Sequence, residues 1–195
     1  MNRREWLKCM SALALSAAGA PLLAVFDAHA AALKPAAGPR FFTEPQGELI
    51  AAVVDIIIPR TDTPGAVDAG VPRFIDQMFK DVYSKAEQAR YLAAMASFRG
   101  ASNTPFLKLD ATQRKALVTR LHAEALAKGR DVDPDSAPAF VLMTKKLAML
   151  GYFMSEPGCT QVLQYVAVPG GYQADVPLSK AGNGRAWAVE TVLRL

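Results

Sequence analysis

Nowhere in this chain do apolar and polar residues alternate for long enough to make a strand. Apolar residues recur instead at spacings of three and four between recognisable caps, the pattern of helices packed on one another. Thr43 and Gln46 have capping-box spacing, with Pro45 tolerated in the first turn, and Leu49, Ile50, Val53, Val54 and Ile57 share the face that follows. Pro59 ends that helix. Pro72 suits the start of a second, with Phe74, Ile75, Met78, Phe79 and Val82 on its apolar side. A third helix is predicted over 85–99, its inner side formed by Tyr91, Leu92, Met95 and Phe98.

Residues 100–105 break the pattern, and Asp110 with Gln113 caps a fourth helix lined by Leu117, Val118, Leu121 and Ala125. Lys128 and Gly129 close it. A fifth helix is predicted from near Pro138, carrying Phe140, Val141, Met143, Leu147 and Leu150. Beyond it the chain turns irregular, with a short helix expected near 160–165, turns at 168–172 and 176–177, and a helical end over 186–195. The expected fold is all-α: one helical domain of about five main helices over 43–195, with an irregular C-terminal arm.

The first thirty residues read differently. Arg3 and Arg4 stand together in Asn2-Arg3-Arg4-Glu5-Trp6-Leu7-Lys8, ahead of an apolar stretch that closes on Ala28-His29-Ala30. A basic start, an apolar middle and a small-x-small end make an export signal, and the paired arginines mark its twin-arginine form. The expected organisation is a signal over 1–30, cut after Ala30, then a flexible leader over 31–42 rich in Ala, Pro and Gly. The apolar stretch is broken by Gly19 and Pro21 and sits at the short end of what spans a bilayer. A retained anchor is the alternative. That export route carries folded cargo, which places the mature chain in the periplasm.

Cleavage leaves 165 of the 195 residues, enough for one core. The formal charge is +4, and loss of Arg3, Arg4 and Lys8 with Glu5 and Asp27 leaves about +3. Basic and acidic residues are interspersed, without the stripe that nucleic-acid binding needs. The mature chain keeps one cysteine, Cys159, and one histidine, His122. Those are too few for ordinary zinc sites. Asp131-Val132-Asp133-Pro134-Asp135 resembles the start of a calcium loop, but Ser136 and Leu142 occupy the positions that require glycine and glutamate. Dinucleotide fingerprints, iron–sulfur cysteine sets and a haem attachment motif are all missing from the sequence. No catalytic, cofactor-binding or metal-binding residue is expected in this chain. A small hydrolase using His122 with a carboxylate, or a His122–Cys159 dyad, remains the enzymatic alternative; a free periplasmic binding or structural protein is the other.

Two segments stand out, the first either a structural corner joining two core helices or a docking surface, the second open to the same two readings. In Pro59-Arg60-Thr61-Asp62-Thr63-Pro64-Gly65-Ala66 two prolines bracket hydroxyls, a carboxylate and a glycine, and the segment runs on to Pro72 as an ordered loop. Its prolines reduce the entropy lost when a partner covers it. The second is Gly151-Tyr152-Phe153-Met154-Ser155-Glu156-Pro157-Gly158-Cys159, whose aromatics are either core or interface anchors. The candidate interface residues are Pro59, Thr61, Asp62, Thr63, Pro64, Gly65, Tyr152, Phe153 and Glu156. Cys159, unpaired within the chain, is the candidate for a disulfide to a partner.

The first of these segments, with Gly70-Val71 and Phe74-Ile75-Asp76 after it, resembles the small subunit (subunit 3) of gluconate 2-dehydrogenase. The second, with Glu156-Pro157-Gly158 and the Pro-Gly-Gly-Tyr turn at 169–172, is similar to that family's C-terminal part. The resemblance implies a non-catalytic escort, membrane-associated through its complex. The partners it implies are a large FAD-bearing dehydrogenase subunit, a membrane-bound multihaem cytochrome c subunit where one is present, and the twin-arginine translocase. It assigns no catalytic residue to this chain, and the substrate of the complex stays open.

Overall fold

A computed structural model of the chain describes residues 40–166, 175–181 and 184–188. Five helices carry the fold where the periodicity places them: α1 (Glu44–Ile57), α2 (Val71–Asp81), α3 (Lys85–Arg99), α4 (Ala111–Lys128) and α5 (Ala137–Phe153). Short 3-10 turns follow α3 and α4, a π-helical turn occupies Gly158–Val162, and a single-turn α6 spans Leu178–Ala181. Among the described residues there is no strand; one parallel bridge joins Gln164 and Trp187. None of their helices is long and apolar enough to cross a membrane.

The caps explain the boundaries. The Thr43 N–H donates to Gln46 Oε1 at 2.9 Å. Asp110 Oδ1 accepts from the Gln113 N–H at 2.8 Å. Ser84, which the sequence reading passed over, caps α3 with Glu87 returning the bond. Gly70 and Gly129 take positive φ at helix ends, where a side chain would be strained. The last carbonyls of α2 have no partner within the helix. Gln88 from α3 serves one of them, donating through Nε2 to the Phe79 carbonyl at 2.5 Å, and reaches the Tyr83 carbonyl in the following turn at 3.0 Å.

The core is organised around α5, which packs against α1, α2, α3 and α4. Its fully buried positions, among them Phe140, Val141, Thr144, Leu147, Ala148 and Gly151, recur at spacings of three and four on one broad face, and most of its remaining residues are half-buried, as befits a helix packed against four others. Aromatic rings thread the interior from Phe79 to Tyr91, Phe140, Phe98 and Phe106, with centroids 4.3 to 5.2 Å apart. The buried Thr144 hydroxyl is satisfied by Tyr91 at 2.8 Å, and burial raises the Tyr91 phenol far above its ordinary range.

Three details differ from the sequence reading. Val82 is 65% exposed, because α2 stops at Asp81 and the turn carries the valine out of the apolar face. The short helix expected near 160–165 is the π-helical turn over Gly158–Val162, which starts two residues earlier, and Leu163 is already extended. Ala186, expected to be helical, is not in a helix: its carbonyl accepts the Gln164 N–H at 2.8 Å, beside the bridge at Trp187. Turns expected at 168–172 and the helical end beyond 188 lie outside the described residues.

The folded unit begins at Arg40. It therefore takes in Phe41 and Phe42, which composition alone assigns to the leader. Phe42 is 4% exposed, and burial of that ring outweighs its position in a Pro- and Gly-rich approach.

Candidate functional site

Helix α1 ends because Ile58 departs from helical geometry and Pro59 cannot continue it. The chain then loops out and returns on itself. The Ala66 N–H donates to the Ile58 carbonyl at 2.9 Å, closing the neck, and the Val71 N–H donates to the Ala66 carbonyl at 3.0 Å, leading into α2. Ala66 is completely buried at this crossing. Gly65 beside it is buried, and a Cβ there would lie 2.7 Å from the Arg60 backbone nitrogen. Glycine is required by close approach of two backbone strands of the loop.

Asp68 fastens the loop from within. Its Oδ2 accepts from the Gly65 N–H at 2.9 Å, and its carboxylate takes both the Nε and an Nη of Arg60, at 2.8 and 2.5 Å. The Arg60 side-chain bonds first, and the Gly65 N–H second, hold the Asp68 carboxyl below the usual carboxylate range, while Asp68 raises Arg60. The planar guanidinium fits a carboxylate through two parallel bonds, so the pair sets orientation as well as charge.

The second candidate segment meets the first. Tyr152, on the last turn of α5, donates its hydroxyl to the Pro64 carbonyl at 2.6 Å. Gly151 lets α5 close on α2, since a Cβ there would lie 2.5 Å from Cδ1 of Phe74. Beyond α5, Ser155 Oγ donates to the Tyr152 carbonyl at 2.6 Å and accepts the Gly158 N–H at 3.2 Å. Gly158 is pressed against the Tyr152 carbonyl, where no side chain fits. Loop 59–72, the end of α5 and the π-helical turn thus form one continuous end of the bundle.

The expected interface residues divide by position. Pro59, Thr61, Asp62 and Glu156 are exposed; Thr63, Pro64 and Phe153 are half-buried; Gly65 is buried. Tyr152 is 3% exposed, so it acts from inside, as the tie that holds the loop. The exposed apolar side chains at this end are Val67 and Met154, at 44% and 68%. Ala66, Val67 and Asp68 lie in the candidate loop but are not among the expected interface residues. An aspartate three residues after a loop glycine is a signal that could have found Asp68; Val67 and Ala66 carry none, because a lone aliphatic residue reads the same inside or out. Arg3, Arg4, Trp6, Leu7, Lys8, Ala28 and Ala30 lie outside the described residues.

Replacing Tyr152 by Phe is expected to cost about 1 kcal/mol, the net worth of one hydrogen bond, with Pro64 left to find another donor. Urea unfolding of both proteins measures it, and an unchanged midpoint would show that the tie contributes nothing.

His122 and Cys159 are each engaged elsewhere. Nε2 of His122 lies 2.9 Å from Nζ of Lys145, across the α4–α5 contact, and Glu124 pairs with Arg120 at 2.8 Å. Cys159 is a free, half-buried thiol whose Sγ donates to the Phe153 carbonyl at 3.0 Å. In a nucleophilic dyad or triad the histidine is hydrogen-bonded to the nucleophile or oriented by a carboxylate; the partner of His122 Nε2 here is an ammonium. The described residues contain no cluster of His, Cys, Asp and Glu that could hold a metal ion.

Burial first, and then Lys145, lower the His122 pKa below its ordinary 6.5. Between that lower folded value and 6.5 the unfolded chain binds the additional proton, so stability rises with pH across the window. Acidification from pH 7 through 6.5 is therefore expected to cost the wild type stability that His122→Gln keeps. Denaturant midpoints of both proteins at pH 7 and pH 5 test it; equal losses would refute the coupling.

A family model described as gluconate 2-dehydrogenase subunit 3 matches residues 44–170, which include α1 through α5 and both halves of this site. Searches of curated proteins and of solved structures returned no match.

Proposed function

Because this chain belongs to the gluconate 2-dehydrogenase subunit 3 family, we propose that it is the accessory small subunit of a flavin-dependent dehydrogenase complex and docks its large subunit through the 59–72 and 151–159 end of the bundle. The family name implies membership of a multisubunit complex. One observation carries the choice of surface: two segments far apart in sequence, both in the matched span, are bonded into a single rigid end by Tyr152 and Pro64. Rigidity favours association, since less conformational entropy is lost on binding.

On this reading the chain has no catalytic residue of its own. FAD resides in the large subunit, and haem c in a cytochrome subunit where the complex includes one. The Arg3–Arg4 signal would recruit the twin-arginine translocase and carry the folded partner with it, leaving the complex in the periplasm and membrane-associated through its other subunits. The interspersed charge supports a protein partner over nucleic acid. A permanent complex of this kind buries roughly 2,000–5,000 Å².

The test is purification of the tagged full chain from gently extracted envelopes, followed by an absorption spectrum. A large second polypeptide arriving with flavin bands is the expected result. A solitary, colourless chain, or one that turns over substrate alone, would overturn the proposal. A disulfide from Cys159 to the large subunit is part of the same reading; two bands migrating separately on a non-reducing gel would remove it.

A further inference from the structure

The short stretch ahead of α1 is built in an unusual way. Three successive backbone N–H groups, those of Phe41, Phe42 and Thr43, all donate to side-chain oxygens. Asp76 Oδ1 on α2 accepts the first two at 3.1 and 2.9 Å, and Gln46 Oε1 accepts the third at 2.9 Å. The rings are held as well. Phe41 stacks on Phe79 with centroids 5.9 Å apart, and Phe42 meets Phe79 edge-on at 5.3 Å and Tyr91 at 5.8 Å.

Asp76 and Phe79 are three residues apart, on one face of α2. Tyr91 belongs to α3. The receptor for this stretch therefore exists only once α2 has formed and docked beside α3. No helix or strand ladder orders residues 41–42; a carboxylate and an aromatic slot do. These residues also precede the span matched by the family model, which begins at residue 44.

We infer that residues 40–43 are a strap that closes only on the completed helical body, latched by Asp76, so that the segment ahead of it leaves the folded chain from one fixed point on α2. Arg40 stays exposed while Phe42 is buried, which places the exit between them. An open strap marks a body whose α2 is not seated. The latch does not depend on the docking role proposed above. If residues 1–30 are an export signal, the strap couples its presentation to completion of the fold.

Amide hydrogen exchange on the full chain tests this, with tryptic cutting after Arg40 as a second reading. In the wild type the Phe41 and Phe42 amides are expected to exchange about ten- to a hundredfold more slowly than in a free peptide, the range for bonds to a charged acceptor. Asp76→Ala should abolish that protection and speed the cut after Arg40, while the amides of α5 remain protected. Phe42→Ala should do the same by emptying the slot. Free exchange at 41 and 42 in the wild type would overturn the strap, as would protection that survives in Asp76→Ala. Loss of protection throughout α5 in both variants would also overturn it, because Asp76 and Phe42 would then support the whole body rather than latch one segment.

Discussion

Phe140→Ala is expected to destabilise the chain by about 3–5 kcal/mol, the usual cost of removing a buried ring. Phe140 is completely buried on α5 and touches Tyr91 and Phe98 at ring centroids of 5.2 and 4.9 Å. Those rings come from α3, so the cavity would open at the contact between the central helix and a neighbour. Phe98 leans in turn on Phe106, and the surrounding rings cannot collapse inward without breaking their own contacts. A domain of this size has about 5–15 kcal/mol in total, so the loss consumes a large share of it. Urea unfolding followed by circular dichroism measures the effect. Val82→Ala, at a position 65% exposed, serves as the control and should stay within about 0.5 kcal/mol. A Phe140→Ala cost below 1 kcal/mol would mean that α5 is not the hub.

Gly65→Ala is expected to disrupt the loop of the docking end. The added Cβ would meet the Arg60 backbone nitrogen at 2.7 Å, and backbone has no rotamer to retreat to. The loop must shift, with an expected cost of about 1–3 kcal/mol for overpacking. The shift would break the Gly65 N–H bond to Asp68 and with it the seat of Arg60. Under the proposed function, recovery of the flavoprotein with this variant should fall at least about tenfold, the equivalent of roughly 1.4 kcal/mol of binding. Gly47→Ala separates this from a general glycine effect. It lies within α1, its Cβ meets nothing within 4 Å, and it should be neutral or stabilising by up to about 1 kcal/mol. Undiminished recovery with Gly65→Ala would remove the loop from the interface.

Much of the fold was legible because helix signals are local. Thr43, Asp110 and Gly129 mark ends through bonds and dihedrals within a few residues, and Leu117, Val118, Leu121 and Ala125 declare a face by spacing alone. The two segments of the candidate site were also visible as irregular, Pro- and Gly-rich punctuation. Their union was not. Nothing in the composition of Pro64 or Tyr152 indicates that one accepts a bond from the other. Asp76 falls in a stretch that carries the family resemblance, but nothing in its sequence neighbourhood indicates that Phe41 and Phe42 donate to it.

By itself, then, the sequence determined the helical class, the five helix positions, the scarcity of histidine and cysteine, and the two irregular segments worth attention. Those properties depend on neighbours within about one or two helical turns. Only the tertiary structure decided that α5 is central, that Tyr152 works from inside, and that a loop and a distant helix end share one surface. Such facts arise from packing, where partners are chosen by shape and burial across the whole chain, and sequence separation sets no rule for which residues meet.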